Sequence, residues 1–218
     1  VLEGDRITAF VEKPAPGSLP GHDTVNAGAY VLSAGVLDRF APGPLSFERE
    51  VFPTLLAQGE TIAGLVHDGV WTDLGTPDRF LDGQRLVLDG ALAWPPFDDL
   101  VEHPDHPGAR CADGVQLGRD VRIDGPVILG AGVTVGDGAA VGPYVVAAAG
   151  AAIEQGADVS DALLSEGAVV GARGVVSDSL LAAGVALPAG SVCTGRTIGP
   201  PSLAPSLGSS IPPTGVDG

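Results

Sequence analysis

Lys13, in the stretch FVEKP, is the only lysine among 218 residues; every other permanent positive charge is an arginine. An ammonium is a compact, mobile point charge, whereas a guanidinium is a planar fork. The chain therefore keeps one side chain of a different kind, beside Glu12 and ahead of Pro14, and the question is which partner needs it. The plainest alternative is an exposed turn with an unimportant charge pair. Asp73, in WTDLGTP, is a carboxylate at a turn, and as a bare Asp it could do no more than accept the amides of that turn. Asn26, two residues before Gly28 in NAGAY, is equally open to ordinary loop chemistry.

Other chemistries find less support. The four histidines, at positions 22, 67, 103 and 106, all precede Cys111, so the C-terminal half carries no histidine to serve as the general base of an acyl transfer. Cys111 and Cys193 stand alone, without a CxxC or a nearby histidine pair, which signals neither a zinc knuckle nor a disulfide framework and suits a reducing cytoplasm. Gly130-Ala131-Gly132 and Gly136-Asp137-Gly138 imitate a dinucleotide fingerprint, but strand-and-corner text follows them instead of a helix. Twenty-seven acidic against eleven basic residues give a formal charge of −16, a field that repels nucleic acid. No apolar run approaches the ~18 residues that would span a bilayer.

The elements that must hold these residues fall into two kinds. From Cys111 the text has a period of six: CADGVQ, LGRDVR, IDGPVI, LGAGVT, VGDGAA, VGPYVV, AAAGAA, IEQGAD, a shortened VSDAL, then LSEGAV, VGARGV, VSDSLL, AAGVAL and PAGSVC. Positions one and five are apolar in 26 of 28 places, the exceptions being Gly174 and Pro188. Position two is small or acidic throughout, as a tight corner between short strands requires. The first ninety residues read instead as α/β. We expect a strand over Ile7–Val11, a buried strand over Ala29–Leu32, a short helix over Ala34–Phe40 and a turn capped by Ser46. Further on we expect a helix from Pro53 to Gly59, two short strands within TIAGLVHDGVWTDLGTP and a helix opened by Thr76-Pro77 with Phe80, Leu81, Val87 and Leu88 inward. Trp71 and Phe80 read as core. The expected divisions are 1–90, a Pro/Asp/His-rich connector over 91–110, the repeat over 111–195 and a disordered tail over 196–218.

The hexads resemble those of left-handed parallel β-helices, in which three make a coil, giving between four and five coils here. FVEKP, NAGAY and WTDLGTPDRF, in that order and followed by such a repeat, resemble the sugar-1-phosphate nucleotidylyltransferases, and NAGAYVL with SFEREVFP is similar to the mannose-1-phosphate guanylyltransferases among them. The resemblance covers nearly the whole chain to about residue 195. It implies a fold in which the C-terminal part of a Rossmann-like nucleotidyltransferase domain precedes a left-handed β-helix. It also implies a reaction in which a sugar 1-phosphate attacks a nucleoside triphosphate and expels pyrophosphate, with GTP and mannose 1-phosphate as the leading pair.

By the same resemblance Lys13 neutralises the sugar phosphate, Glu12 accepts from sugar hydroxyls, Asn26 and Gly28 meet the sugar, and Asp73 helps hold Mg²⁺. The family's N-terminal Gly-rich, arginine-containing loop and its upstream metal-binding aspartate are absent. We therefore expect the chain to be the downstream part of a longer protein and inactive alone. A homo-oligomer through the β-helix is expected; the alternatives are a non-catalytic assembly or regulatory subunit of the same layout and, less favoured, a hexapeptide-repeat acyltransferase.

Overall fold

The computed structural model describes residues 1–11, 15, 17, 24–92 and 100–199. They divide into one unit over Val1–Trp71 and a second that begins at Thr72. No helix among the described residues is long and apolar enough to cross a membrane.

The first unit is built around a small core. Strands β1 (Leu2–Glu3) and β2 (Arg6–Ile7) form an antiparallel hairpin. A 3₁₀ turn follows at Val36–Arg39, then one wide π turn at Phe47–Val51 leads directly into helix α1 (Phe52–Ala57). Ser46 caps the turn as expected, its Oγ accepting the Arg49 N–H at 3.3 Å. Pro53 sits in the first turn of α1, where its missing N–H costs nothing. Val51, Phe52 and Leu55 are buried, with Phe10, Val36, Phe40, Phe47 and Ile62 packed around them.

Several expected strands of this unit are not there. Beyond Ile7 the backbone bonds, among the described residues, only to Val1, through the Thr8 N–H at 3.0 Å and the Ala9 carbonyl at 2.6 Å, and forms no strand to Val11; Ala29–Leu32 forms no strand, and within 61–77 only an isolated bridge forms, Arg6 with Ala63. The reason lies in backbone pairing: a buried strand needs hydrogen-bonding neighbours on its edges, and among the described residues none pairs with 29–32, so Val31 lies fully exposed. Trp71 is likewise 51% exposed, contrary to its reading as core.

The second unit opens with helix α2 (Pro77–Leu88), whose cap Thr76 accepts the Arg79 N–H. Leu81 and Gly83 are its buried residues, whereas Phe80, read as core, is 37% exposed. Strand β3 (Val101–Glu102) then pairs antiparallel with β4 (Ala109–Cys111). The stretch read as a connector, 91–110, thus ends in sheet.

A parallel β-helix follows through β5 (Gln116–Leu117), β6 (Arg122–Ile123), β7 (Val127–Leu129), β8 (Thr134–Val135), β9 (Ala140–Val141), β10 (Val145–Ala147) and β11 (Ala152–Ile153). It continues through β12 (Asp158–Leu164), β13 (Val169–Val170), β14 (Val175–Leu181), β15 (Ala186–Leu187), β16 (Val192–Thr194) and β17 (Thr197–Ile198). Because β17 pairs with β14, the region read as a tail, 196–218, begins in strand; residues 200–218 lie outside the described residues.

Three parallel ladders stack along the β-helix. One joins β5, β8, β11, β13 and β15; a second joins β6, β9, the first halves of β12 and β14, and β16; the third joins β4, β7, β10, the second halves of β12 and β14, and β17. The inward residues form one continuous core from Val127 to Cys193. Each fully buried Val, Leu or Ile contributes roughly 1.5–3 kcal/mol, so this core of twenty residues far outweighs the three of the first unit.

The register amends the hexad frame. Ala109, Val127 and Val145 align at steps of eighteen residues, but Val145 aligns with Ala162 and Ala162 with Ser179, at steps of seventeen. Two successive coils are therefore shortened at the same corner, where Asp161 and Asp178 take the left-handed backbone conformation (φ 44° and 47°). The frame after Val176 accordingly runs VSDSL, LAAGVA, LPAGSV, CTGRTI, which moves Pro188 off position one. It also turns Ser179 inward in place of Leu180, and Ser179 is fully buried. Its Oγ donates to Ser177 O at 2.7 Å and accepts the Arg196 N–H at 3.2 Å, so the hydroxyl is satisfied.

Candidate functional site

In the first unit, aromatic packing fixes two of the chain segments that carry candidate residues. Phe10 stacks on Phe52 with centroids 4.6 Å apart. Tyr30 stacks on Phe47 at 5.5 Å and meets Phe52 edge-on at 4.9 Å. Such pairs contribute about 0.5–1.5 kcal/mol each beyond the area they bury. Phe10 thereby anchors the entry to FVEKP; Glu12 and Lys13 themselves lie outside the described residues.

Asn26 is the centre of a polar cluster. Its Oδ1 accepts the Gly28 N–H at 3.0 Å, closing a tight turn in which Gly28 has φ +73°. Its Nδ2 donates to Tyr30 Oη at 2.6 Å and to Glu48 Oε1 at 3.1 Å, and Tyr30 Oη donates to the same Glu48 oxygen at 2.8 Å. Burial pushes the Tyr30 hydroxyl above the usual phenol range; the Asn26 bond opposes this and Glu48 adds to it. A Cβ at Gly28 would meet nothing within 4 Å, so the glycine is required by its backbone conformation and not by a close neighbour.

Tyr30 and Glu48 were not singled out in the sequence. Glu48 and Glu50 both lie in the first turn after Ser46, yet they divide the work. Glu50 Oε2 accepts the Ser46 N–H at 3.2 Å, while Glu48 turns to Asn26 and Tyr30.

In the second unit Asp73 is held by its own turn and by α2. Oδ1 accepts the Gly75 N–H at 3.0 Å and Oδ2 pairs with Arg79 Nη1 at 2.5 Å. The pair is more than half exposed on both sides, so it adds only about 0–1 kcal/mol to stability; its interest is positional. A Cβ at Gly83 would come within 2.5 Å of Leu74 Cδ2, so the absent side chain lets Leu74 lie across the helix. The Asp73 turn is therefore folded onto α2 between Arg79 and Gly83. Among the described residues no three His, Cys, Asp or Glu side chains gather as a metal cage. A single carboxylate nevertheless fits Mg²⁺, which is usually held by one or two carboxylates together with substrate phosphates.

Residues 2–90 match the family model of nucleotidyl transferases. Over that stretch the chain is similar to the nucleotidyl transferases. The chain is 38% identical over 161 residues to mannose-1-phosphate guanylyltransferase of Mycobacterium tuberculosis, covering 70% of this chain and 42% of that protein. A probable mannose-1-phosphate guanylyltransferase 1 of Oryza sativa subsp. japonica is 32% identical over 168 residues, 77% of this chain and 40% of its own. The chain thus spans about two fifths of the length of the curated relatives it matches. A solved GDP-perosamine N-acetyl transferase from Caulobacter crescentus, 23% identical and covering 66% of this chain and 87% of its own, superposes with a TM-score of 0.26, too loosely to bear on function. The architecture is a nucleotidyl transferase segment followed by a parallel β-helix.

Proposed function

We propose that the protein transfers a nucleotidyl group from a nucleoside triphosphate to a sugar 1-phosphate, releasing pyrophosphate, and that GTP and mannose 1-phosphate are its substrates. The observation that carries this reading is the ordered set of EKP, NAGAY and WTD motifs within a nucleotidyl transferase segment. Relatives named for the mannose-1-phosphate reaction align with it.

In-line transfer between two phosphates has little covalent chemistry for a protein to do; positioning and charge neutralisation dominate. In this reading Lys13 offsets the charge of the sugar phosphate and Glu12 accepts from sugar hydroxyls. Asn26, whose two N–H bonds are engaged by Tyr30 and Glu48, offers the free side of its Oδ1. Gly28 leaves open space for the sugar beside it. A divalent metal, Mg²⁺ in this proposal, would be held in part by Asp73 and would supply positive charge to the phosphates. The proposal places the protein in the cytoplasm, consistent with two free thiols at Cys111 and Cys193. A homo-oligomer formed through the β-helix belongs to the same proposal.

Titration calorimetry with mannose 1-phosphate tests the sugar-phosphate half of this reading on the chain itself. Saturable binding that is tighter than that of mannose or inorganic phosphate, and at least about tenfold weaker in Lys13→Ala through loss of a charge-assisted contact, is expected. Absence of saturable binding, or binding indifferent to Lys13→Ala, would overturn it.

A further inference from the structure

The second half of α2 is fastened to the β-helix by side chains from both. Gln84 Nε2 donates to Tyr144 O at 3.0 Å and to Ala162 O at 3.2 Å. Arg85 Nε donates to Asp161 Oδ1 at 2.8 Å, Nη2 lies 2.7 Å from that oxygen and 3.1 Å from Asp178 Oδ1, and Nη1 pairs with Asp82 within the helix at 2.8 Å. At the end of the helix, Tyr144 Oη donates to Asp89 Oδ1 at 3.1 Å. One guanidinium therefore gathers carboxylates from two successive coils.

Those two carboxylates stand at the shortened corners. Asp161 and Asp178 occupy the same place one coil apart, since Ser160 aligns with Ser177 and Ala162 with Ser179. Both have left-handed backbone, a conformation that most residues avoid and that Gly, Asn and Asp tolerate best. The shortened corners thus present two aspartates in line, and Arg85, about one third exposed, takes both. The Asp73 turn meets the same helix further toward its start: Thr76 caps it, Arg79 pairs with Asp73, and Leu74 lies over Gly83.

We infer that Arg85 is a positioning residue: by joining α2 to two coils of the β-helix it fixes the helix end that holds the Asp73 carboxylate. The β-helix then serves as the platform for the metal-binding turn in addition to its own packing. The inference rests on the proposed function only for the duty of Asp73; the mechanical link from Asp161 and Asp178 to Arg79 is independent of it.

Hydrogen exchange resolved to single amides, on the whole chain, tests the link without any ligand. The reporters are the Gly75 and Arg79 N–H groups, which donate to Asp73 Oδ1 and Thr76 Oγ1. In Arg85→Ala both should exchange about tenfold faster while the amides of β7 and β10 keep their rates, since local opening is read residue by residue. Asp161→Asn, which suits the left-handed backbone and keeps the side-chain size, should move them in the same direction by less, and Arg85→Lys should recover most of the protection. Rates at Gly75 and Arg79 within about twofold of the parent in Asp161→Asn, and in Arg85→Ala where that variant folds, would overturn the inference.

Mn²⁺ binding followed by electron paramagnetic resonance separates this from the metal reading. Mn²⁺ binding abolished by Asp73→Asn and weakened several-fold by Arg85→Ala is expected. Binding abolished by Asp73→Asn but untouched by Arg85→Ala would overturn the positioning role. Equal binding to the parent and Asp73→Asn would sink the metal role of Asp73 alone, leaving exchange to decide Arg85.

Discussion

Both tyrosines of the chain face a carboxylate, and this couples their ionisation to the fold. Burial, followed by Glu48, raises Tyr30; the hydrogen bond and charge of Asp89 raise Tyr144. A group whose folded value is raised stabilises the fold fully below its unfolded value and loses that contribution as pH rises through the folded one. Both phenols should therefore ionise late in a spectrophotometric titration, and stability should decline as pH climbs beyond about 10. Tyr30→Phe and Tyr144→Phe should each remove part of the delayed absorbance change. A titration of the native chain with the midpoint of free tyrosine would contradict both assignments. On the acid side the sign reverses. Arg119, through its backbone N–H and then its guanidinium, holds Asp137 below the usual carboxylate range, so that contact is present above about pH 4 and is lost as pH falls further.

At the scale of elements, the shortened corner at Asp178 decides which side chain faces the core. Ser179 is inward and satisfied, so Ser179→Ala should cost about 1 kcal/mol by removing these hydrogen bonds, read as a lower denaturation midpoint at unchanged slope. An unchanged midpoint would mean that Ser177 O and the Arg196 N–H find other partners. The same corner shows where reading the sequence succeeded and where it slipped. Most hexads were legible because positions one and five repeat, and Val127, Leu129, Val133, Val141, Val145 and Ile153 are all buried there. VSDSLL, however, satisfies the hexad rule with Val176 and Leu180 while folding as a pentad. The available clue was its likeness to VSDALL, seventeen residues earlier. The caps at Ser46 and Thr76 were legible because they are local. The strands at 29–32 and within 61–77 were not, because a strand is made by its neighbours and sequence alone does not display them. Among the candidate residues, the turns of Asn26-Gly28 in the first unit and Asp73-Gly75 in the second follow from short-range chemistry. Glu48 meeting Asn26 across twenty-two residues does not.

For the molecule as a whole, the two units differ in how much they bury. The first has three buried apolar side chains at its centre, and the second a core continuous across successive coils. Stability in stacked repeats is a sum of neighbouring interfaces, so the middle coils should be the last part to open. Amides of β7, β10 and β12 should exchange slowest, and those of Val1–Trp71 should exchange faster by orders of magnitude. Equal protection in both would show that the first unit draws its stability from something other than its own core.

Stacked coils also invite changes of length, because each touches only the one before and the one after. Here the ruler is not uniform. The grip of Arg85 on Asp161 and Asp178 fixes the spacing of two particular coils, so an extra coil grafted after Ile198 leaves the attachment of α2 intact. The same graft inserted between Ala162 and Asp178 would draw the two aspartates apart by one strand spacing, about 4.8 Å, and leave the guanidinium able to reach only one. The shortened corners thus divide the β-helix into a stretch whose length is set by the helix lying on it and a stretch free to grow.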